Sequence, residues 1–196
     1  YLSFDFGRTP VCLFFVATLG GRIIVIDEVM GEDTSIDALF TEKIHPLLAQ
    51  KYRHMQIAGA WGDPAGATKT QAVELSPYDV LLDHGVPIAD PGGGNRMEPR
   101  LEGMRQYLQR IDSHGRPMLT ISDNCPYLIE SLAETYIYER VPGQAGMVRD
   151  NPTTSHVNWT SDLADACQYA VLGYNRLAGR AERRKHIPPA RKRNWF

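Results

Sequence analysis

Three strand-like segments follow one another at the start of the chain, separated only by short glycine-containing breaks. In the first, Tyr1–Phe6, apolar residues alternate with the period of two that a β-strand requires. The second, Val11–Leu19, is rich in Val, Leu and Phe, and the Gly20-Gly21 pair after it has the composition of a two-residue hairpin turn. With Arg22–Val29 as the third segment, the chain is predicted to open with an antiparallel meander of three strands.

The rest of the chain alternates between helical and strand-like patterns. The predicted elements are a helix from Thr34 or Ser35 to about Arg53, a strand over Met55–Trp61, a helix over Ser76–His84, a strand over Val86–Ala89, a helix over Met97–Ile111, a strand over Met118–Ile121, and helices over Cys125–Thr135 and Ser161–Leu177. In the predicted helix Met97–Ile111, the residues expected to face inward are Leu101, Met104, Leu108 and Ile111.

This order of elements predicts a single mixed α/β domain over residues 1–178, with a basic C-terminal tail over residues 179–196. A meander followed by alternating helices and strands matches the ribonuclease H-like fold, in which a mixed sheet is flanked by helices. Among the tryptophans, Trp61 and Trp159 are expected in the core.

Charge is distributed unevenly, although the formal net charge is only −2. Residues 176–196 contain eight basic residues and one acidic residue, which leaves 13 basic and 22 acidic residues before them. An acidic body suits a protein that holds divalent cations, and a basic tail suits contact with a polyanion. A solvated terminus would have the same composition.

Several classes of protein are excluded or disfavoured by composition. Three cysteines without CxxC spacing argue against a disulfide scaffold and a ribbon-type zinc site. No apolar run approaches the ~18 residues of a membrane span. No charged leader precedes an apolar block, so secretion is not expected, and the apolar start at Tyr1 suggests a piece of a longer protein.

Three aspartates occupy unusual places in the predicted elements. Asp5 lies in an apolar strand, Asp63 ends another apolar strand, and Asp165 lies in the first turns of the last helix. Three carboxylates brought together would repel, each pair by roughly 3 kcal/mol at about 5 Å. A divalent metal removes this repulsion, and Mg²⁺ prefers such hard oxygen ligands.

Each acid also has a structural explanation. Asp5 could be exposed on an edge strand, and Asp63 could initiate a turn before Pro64. Asp162 lies one helical turn before Asp165, where an acid interacts favourably with the helix dipole.

Three motifs in this order carry a family resemblance, namely Phe4–Thr9, Trp61–Gly66 and Asp162–Tyr169. Together with the intervening segments Arg96–Leu108, Gly115–Ser122 and Cys125–Glu130, they resemble the C-terminal nuclease domain of tailed-bacteriophage terminase large subunits. The resemblance covers about Tyr1 to Gly173. Many relatives have a histidine where this chain has Asp162, so Asp162 is either a fourth ligand or a bystander.

The resemblance implies a metal-dependent endonuclease that cuts concatemeric viral double-stranded DNA during genome packaging. On this pattern Asp5 would bridge two Mg²⁺ or Mn²⁺ ions, while Asp63 and Asp165 would hold one each. It also implies an N-terminal packaging ATPase, a portal and a small terminase subunit as partners. The expected location is the host cytoplasm, transiently at the procapsid portal. The chain itself has no GxxxxGK[ST] motif.

Four basic residues are candidates for DNA contact, namely Arg8, Lys69, Arg96 and Arg100. The loop Val141–Asn158 could gate the site, and the tail could bind DNA or the portal. Three other functions remain open at this point: a Holliday-junction resolvase or transposase of the same fold, a non-catalytic DNA- or portal-docking module, and an actin-like ATPase or sugar kinase.

Overall fold

In the computed structural model of the chain, the described residues form one mixed sheet of six strands. The structure describes residues 1–7, 9–69, 74–138, 143, 147 and 158–185, with side chains of the last helix described over residues 161–179. The sheet order is β5-β4-β1-β2-β3-β6. The strands are β1 (Leu2–Asp5), β2 (Val11–Ala17), β3 (Ile23–Met30), β4 (Ala60–Gly62), β5 (Ile88–Ala89) and β6 (Leu119–Ile121).

The predicted meander is confirmed. Both β1 with β2 and β2 with β3 pair antiparallel, and the second pair contains an irregularity between Phe14 and Phe15. In the turn before β3, Gly21 has a φ of 80°, the left-handed conformation that glycine adopts without steric cost. The central strand β1 is buried along its whole length, so Asp5 does not lie on an exposed edge strand.

The strand predicted over Met55–Trp61 is shorter than expected. Only Ala60–Gly62 is paired, in parallel with β1, and the register runs from Leu2 opposite Ala60 to Phe4 opposite Gly62. Met55 is 58% exposed, so the segment before β4 has an apolar composition without being buried. Its composition therefore predicted a longer buried strand than the sheet contains.

Six α-helices of the described part of the chain cover the two faces of the sheet. They are α1 (Ile36–Leu39), α2 (His45–Gln50), α3 (Pro77–Asp83), α4 (Met97–Gln109), α5 (Pro126–Glu130) and α6 (Asn158–Lys185). One buried cluster joins the sheet to α1, α2 and α3, and a second joins it to α4, α5 and α6. The result is a three-layer α/β domain, as the order of elements predicted.

The first predicted helix begins as expected but is not regular throughout. Ser35 caps α1 by accepting a hydrogen bond from the backbone N–H of Ala38. A π-helical turn over Phe40–Ile44 then joins α1 to α2. Pro46 has no N–H for the carbonyl of Glu42, so the widened turn accommodates the proline without ending the helix.

The buried face of α4 differs from the prediction. Its buried residues are Arg100, Gly103, Met104 and Tyr107. Leu108 is 58% exposed, and Ile111, which lies beyond the end of the helix, is 67% exposed. The prediction that Leu108 and Ile111 face inward is therefore wrong. The helix is turned so that Arg100 and Tyr107, one position before Leu101 and Leu108, lie on the buried face.

Helix α6 is longer than the predicted Ser161–Leu177 and crosses the expected boundary at residue 178. It packs on β1, where the Ser3 hydroxyl donates a 2.6 Å hydrogen bond to the Ala166 carbonyl. Trp61 is buried, as predicted. Most of the loop 141–158, the tail after residue 185 and the side chain of Trp159 lie outside the described residues. Within the described part, no helix is both long and apolar enough to cross a membrane.

Candidate active site

Four aspartates lie around one end of the sheet. Asp5 is the last residue of β1, and Asp63 directly follows the neighbouring parallel strand β4. The Asp63 N–H donates a 3.2 Å hydrogen bond to the Phe4 carbonyl, which fixes the two strand ends side by side. Asp162 and Asp165 reach the same end of the sheet from α6.

Asp5 is buried among like charges. Its side chain is 9% exposed, and its Oδ1 accepts a 2.7 Å hydrogen bond from the backbone N–H of Phe6. Burial and then the nearby carboxylates of Asp165, Asp162 and Asp63 raise the pKa of Asp5 to about 8. The structure therefore brings the predicted acids into one electrostatically coupled group.

Asp63 both forms a turn and belongs to this group. Its Oδ1 accepts a 3.0 Å hydrogen bond from the N–H of Ala65 and caps a 3₁₀ turn over Pro64–Ala67. Gly66 in this turn lies against the ring of Phe6, so a Cβ atom there would be 2.3 Å from Phe6 Cδ2. The turn thus packs closely onto the end of β1 and holds Asp63 beside Asp5.

Asp162 faces the end of β1. A Cβ atom on Gly7 would lie 3.2 Å from Asp162 Oδ2, so a glycine at this position lets the helix acid approach. Burial, followed by the charge of Asp165, raises the pKa of Asp162 to about 6. An acid that served only the helix dipole would be solvated, whereas Asp162 lies within the acidic group.

Asp165 is held by three side chains that share its Oδ1 atom. Arg100 forms an ion pair with this oxygen through Nη2. The Tyr136 hydroxyl donates to it at 3.0 Å and the Gln168 amide at 3.1 Å. Burial and the Asp165 charge raise the pKa of Tyr136, so its hydroxyl keeps the proton that it donates.

Arg100, Tyr136 and Gln168 were not predicted from the sequence to be partners of Asp165. One signal was available for Arg100, because it shares the helix face of Met104 and Tyr107 at spacings of four and seven residues. An arginine on a buried helix face needs an acidic partner. Nothing comparable marked Tyr136, which follows a π-helical turn far from Asp165 in the sequence.

The expectation that Arg100 contacts DNA is corrected by its burial. The residue is 3% exposed and its guanidinium is engaged with protein groups, which leaves no surface for a phosphate. Arg96 is exposed at the start of α4. Lys69 is 59% exposed and pairs with Asp79 at 3.2 Å. DNA contact by Arg96 and Lys69 stays a prediction, and Arg8 lies outside the described residues.

The four aspartates present the hard oxygen donors that Mg²⁺ and Mn²⁺ prefer. As the side chains stand, the described residues contain no group of three His, Cys, Asp or Glu close enough to hold one metal ion. Mg²⁺ is commonly held by one or two carboxylates, with water and substrate phosphate completing its coordination. The buried negative charge around Asp5 fits such a cation, and the predicted two-metal arrangement stays a prediction.

A cleft of about 480 Å³ opens beside Asp5 and Asp63. Its walls come from the end of β1, the 3₁₀ turn and the starts of α1 and α3. The apolar lining includes Phe6, Ile36 and Val80. The two strand acids therefore border a space that is open to a ligand.

Among solved structures, the chain is similar to the nuclease domain of the large terminase from bacteriophage SPP1, whose crystal structure contains bound Mn. The TM-score is 0.57, and the match covers 86% of this chain and 82% of that chain. The chain has the fold of a terminase nuclease domain. This fold is ribonuclease H-like, so the predicted fold is confirmed. Sequence identity is 18%, and the sequence matches no protein-family model and no curated protein.

Proposed function

We propose that the chain is the metal-dependent endonuclease domain of a large terminase, which cuts concatemeric viral double-stranded DNA during genome packaging. The observation that carries the proposal is the buried Asp5 carboxylate surrounded by three further acids at the end of the sheet. Such a group is unfavourable without a cation and becomes favourable when divalent metals are bound. The likeness in fold to a nuclease domain crystallised with Mn supports this proposal.

The proposed ligands are the acids that the resemblance indicated. When bound, a pair of Mg²⁺ or Mn²⁺ ions would activate a water molecule and stabilise the leaving oxygen of a phosphodiester. We assign Asp5 to both ions, because it is coupled both to Asp63 and to the acids of α6. Asp63 and Asp165 are assigned to one ion each, and Asp162 is a candidate fourth ligand.

The protein residues contribute position and burial. The hydrogen bonds of Asp63 within its turn and of Asp165 with Tyr136 and Gln168 fix these carboxylates before the substrate arrives. Burial of Asp5 removes water from the group and strengthens its interaction with cations. The proposed products are a 3′-hydroxyl and a 5′-phosphate.

A terminase nuclease domain acts on DNA together with a packaging ATPase. The proposed partners are therefore double-stranded DNA, an N-terminal ATPase domain, the portal and the small terminase subunit. Arg96, Lys69 and Arg8 are proposed to contact the DNA backbone, which would give salt-dependent affinity without sequence preference.

The test is cleavage of supercoiled plasmid in the presence of Mg²⁺ or Mn²⁺. The chain should convert plasmid to nicked and linear forms, and Asp5→Asn and Asp165→Asn should not. Asp83→Asn removes an exposed carboxylate from α3 and is the matched control. Circular dichroism would establish that all variants are folded. Cutting by Asp5→Asn at the wild-type rate would contradict the proposal.

Two further measurements on the same protein distinguish the nuclease from the docking module and from the junction resolvase. A docking module should gain no thermal stability from Mn²⁺, whereas the proposed nuclease should gain it because metal binds only the folded state. A junction resolvase should prefer four-way junctions over linear duplex of the same sequence.

A further inference from the structure

The ion pair between Arg100 and Asp165 joins a buried guanidinium to a partly exposed carboxylate, whose side chain is 22% exposed. Arg100 belongs to α4 and Asp165 to α6, and the arginine is 3% exposed. A buried cation of this kind is retained only where its charge and hydrogen bonds are satisfied. The pair is therefore a specific structural feature and differs from the exposed ion pairs elsewhere on the surface.

Arg100 is itself held in a fixed orientation. Its Nε donates to Gln168 at 3.0 Å, and its Nη1 donates to Asn95 at 3.2 Å and to the Tyr169 hydroxyl at 3.0 Å. Its guanidinium carbon also lies 4.4 Å from the centre of the Tyr169 ring. These contacts leave Nη2 directed at Asp165, a fork geometry that lysine could not reproduce.

Among the described residues, the donors to Asp165 all contact a single oxygen. Arg100, Tyr136 and Gln168 contact Oδ1, and no described residue donates a hydrogen bond to Oδ2. One oxygen is thus anchored, while the other has no such partner in the described part of the chain. A carboxylate anchored through one oxygen keeps a defined direction for the other.

We propose that Arg100 is a positioning residue for the nuclease, which fixes Asp165 through Oδ1 so that Oδ2 is presented to a divalent cation. This inference rests on the proposed function, since it assumes that Asp165 is a metal ligand. Tyr136 and Gln168 complete the anchor. Arg100 does not contact the DNA or the reacting atoms.

The experiment measures Mn²⁺ binding to the chain by calorimetry and by the electron paramagnetic resonance signal of free Mn²⁺. Arg100→Gln removes the ion pair, and Tyr136→Phe removes only one hydroxyl. Arg105→Gln is the control, because Arg105 lies on the same helix and is 56% exposed. Its contacts, a 3.8 Å ion pair with Glu102 and a 3.3 Å hydrogen bond to the Tyr138 hydroxyl, involve none of the residues that contact Asp165. Plasmid cleavage is followed over a range of Mn²⁺ concentrations.

Arg100→Gln should weaken Mn²⁺ binding by roughly 10- to 100-fold, the usual effect of losing an outer partner of a metal ligand. Half-maximal cleavage should then need correspondingly more Mn²⁺, while the rate at saturating Mn²⁺ recovers most of its value. Tyr136→Phe should shift binding in the same direction by a smaller factor. Arg105→Gln should leave Mn²⁺ binding unchanged.

The inference would be overturned if folded Arg100→Gln protein bound Mn²⁺ as tightly as wild type, because the arginine would then have a merely structural role. Tighter binding would overturn it as well, because the arginine would then compete with the metal. If Arg100→Gln does not fold, unchanged Mn²⁺ binding by Tyr136→Phe overturns it instead. A wild-type chain that neither binds Mn²⁺ nor cuts DNA would refute the proposed function itself.

Discussion

The two halves of the acidic group are built in different ways. Asp5 and Asp63 belong to neighbouring strand ends, and the main chain holds them through hydrogen bonds from Phe6 and Ala65. Asp162 and Asp165 belong to a helix, and Asp165 is held by side chains from α4 and from the segment after α5. The strand half depends on local structure, whereas the helix half depends on packing between distant elements.

Because of this difference, the strand acids and the helix acids should respond differently to substitutions. The strand acids are placed by backbone pairing, so their position should survive most side-chain substitutions nearby. The helix acids depend on how α6 packs against the sheet and against α4, so they should respond to substitutions far away in the sequence. The following predictions test this contrast.

The largest expected effect is loss of cleavage in Asp5→Asn. The substitution removes the acid that is coupled to all three others, so cleavage should fall by roughly three orders of magnitude or more. Initial rates of plasmid nicking in Mn²⁺ would measure this. An equal loss in the Asp83→Asn control would show that the effect does not arise at the site.

The second prediction concerns pH in the absence of metal. The folded pKa of Asp5, about 8, lies above its ordinary value of 3.8, so the folded state holds a proton that the unfolded state has lost. Asp162, with a folded pKa of about 6, acts in the same direction. The free energy of unfolding should therefore fall as pH rises from about 4 to about 8.

Comparison with Asp5→Asn isolates this effect. The facing charges of Asp63, Asp162 and Asp165 remain in the variant, but the buried ionisable group is gone. At pH 8 without metal, Asp5→Asn should be more stable than wild type by on the order of a few kcal/mol, since one pKa unit corresponds to about 1.4 kcal/mol. Urea unfolding at pH 5 and pH 8 would measure it, and equal differences at both pH values would refute the prediction.

A smaller effect is expected from Gly66→Ala, which tests the strand half. The new Cβ atom would lie 2.3 Å from the Phe6 ring, so the turn that carries Asp63 must move. We expect a loss of roughly 1–3 kcal/mol in unfolding free energy. The control is Gly103→Ala in α4, where the Cβ atom would make an ordinary 3.5 Å contact with Val171 and should increase stability by up to about 1 kcal/mol.

The smallest effect is expected from Asp162→Asn. If Asp162 supports the cation without being an essential ligand, cleavage should fall by about tenfold and the Mn²⁺ requirement should rise. A loss as large as that of Asp5→Asn would instead make Asp162 a principal ligand. Titration of cleavage rate against Mn²⁺ concentration distinguishes these outcomes.

Short sequence patterns correctly predicted the elements that are determined by residues adjacent in the sequence. The Gly20-Gly21 pair indicated the hairpin, and Ser76 with Pro77 indicated the start of α3, where the structure shows a capping box with Asp79. Asp5 and Asp63 were recognisable because a carboxylate within or at the end of an apolar strand is unusual.

The remaining features depend on contacts that no local pattern contains. The inward face of α4 is set by the ion pair of Arg100 with an acid 65 positions later, not by apolar periodicity alone. The segment from Met55 looked like a strand because its composition is apolar, although only three residues find a partner in the sheet. The hydrogen bond from Tyr136 to Asp165 joins residues 29 positions apart and forms only because the tertiary fold brings them together.

The attachment of α6 to the sheet has a mechanical consequence. Asp162 and Asp165 belong to the same helix of 28 residues, which is hydrogen-bonded to the central strand through the hydroxyl of Ser3. Any rotation or sliding of this helix would move both carboxylates away from Asp5 at the same time. The two helix acids therefore approach the strand acids together, and the position of one helix governs both of them.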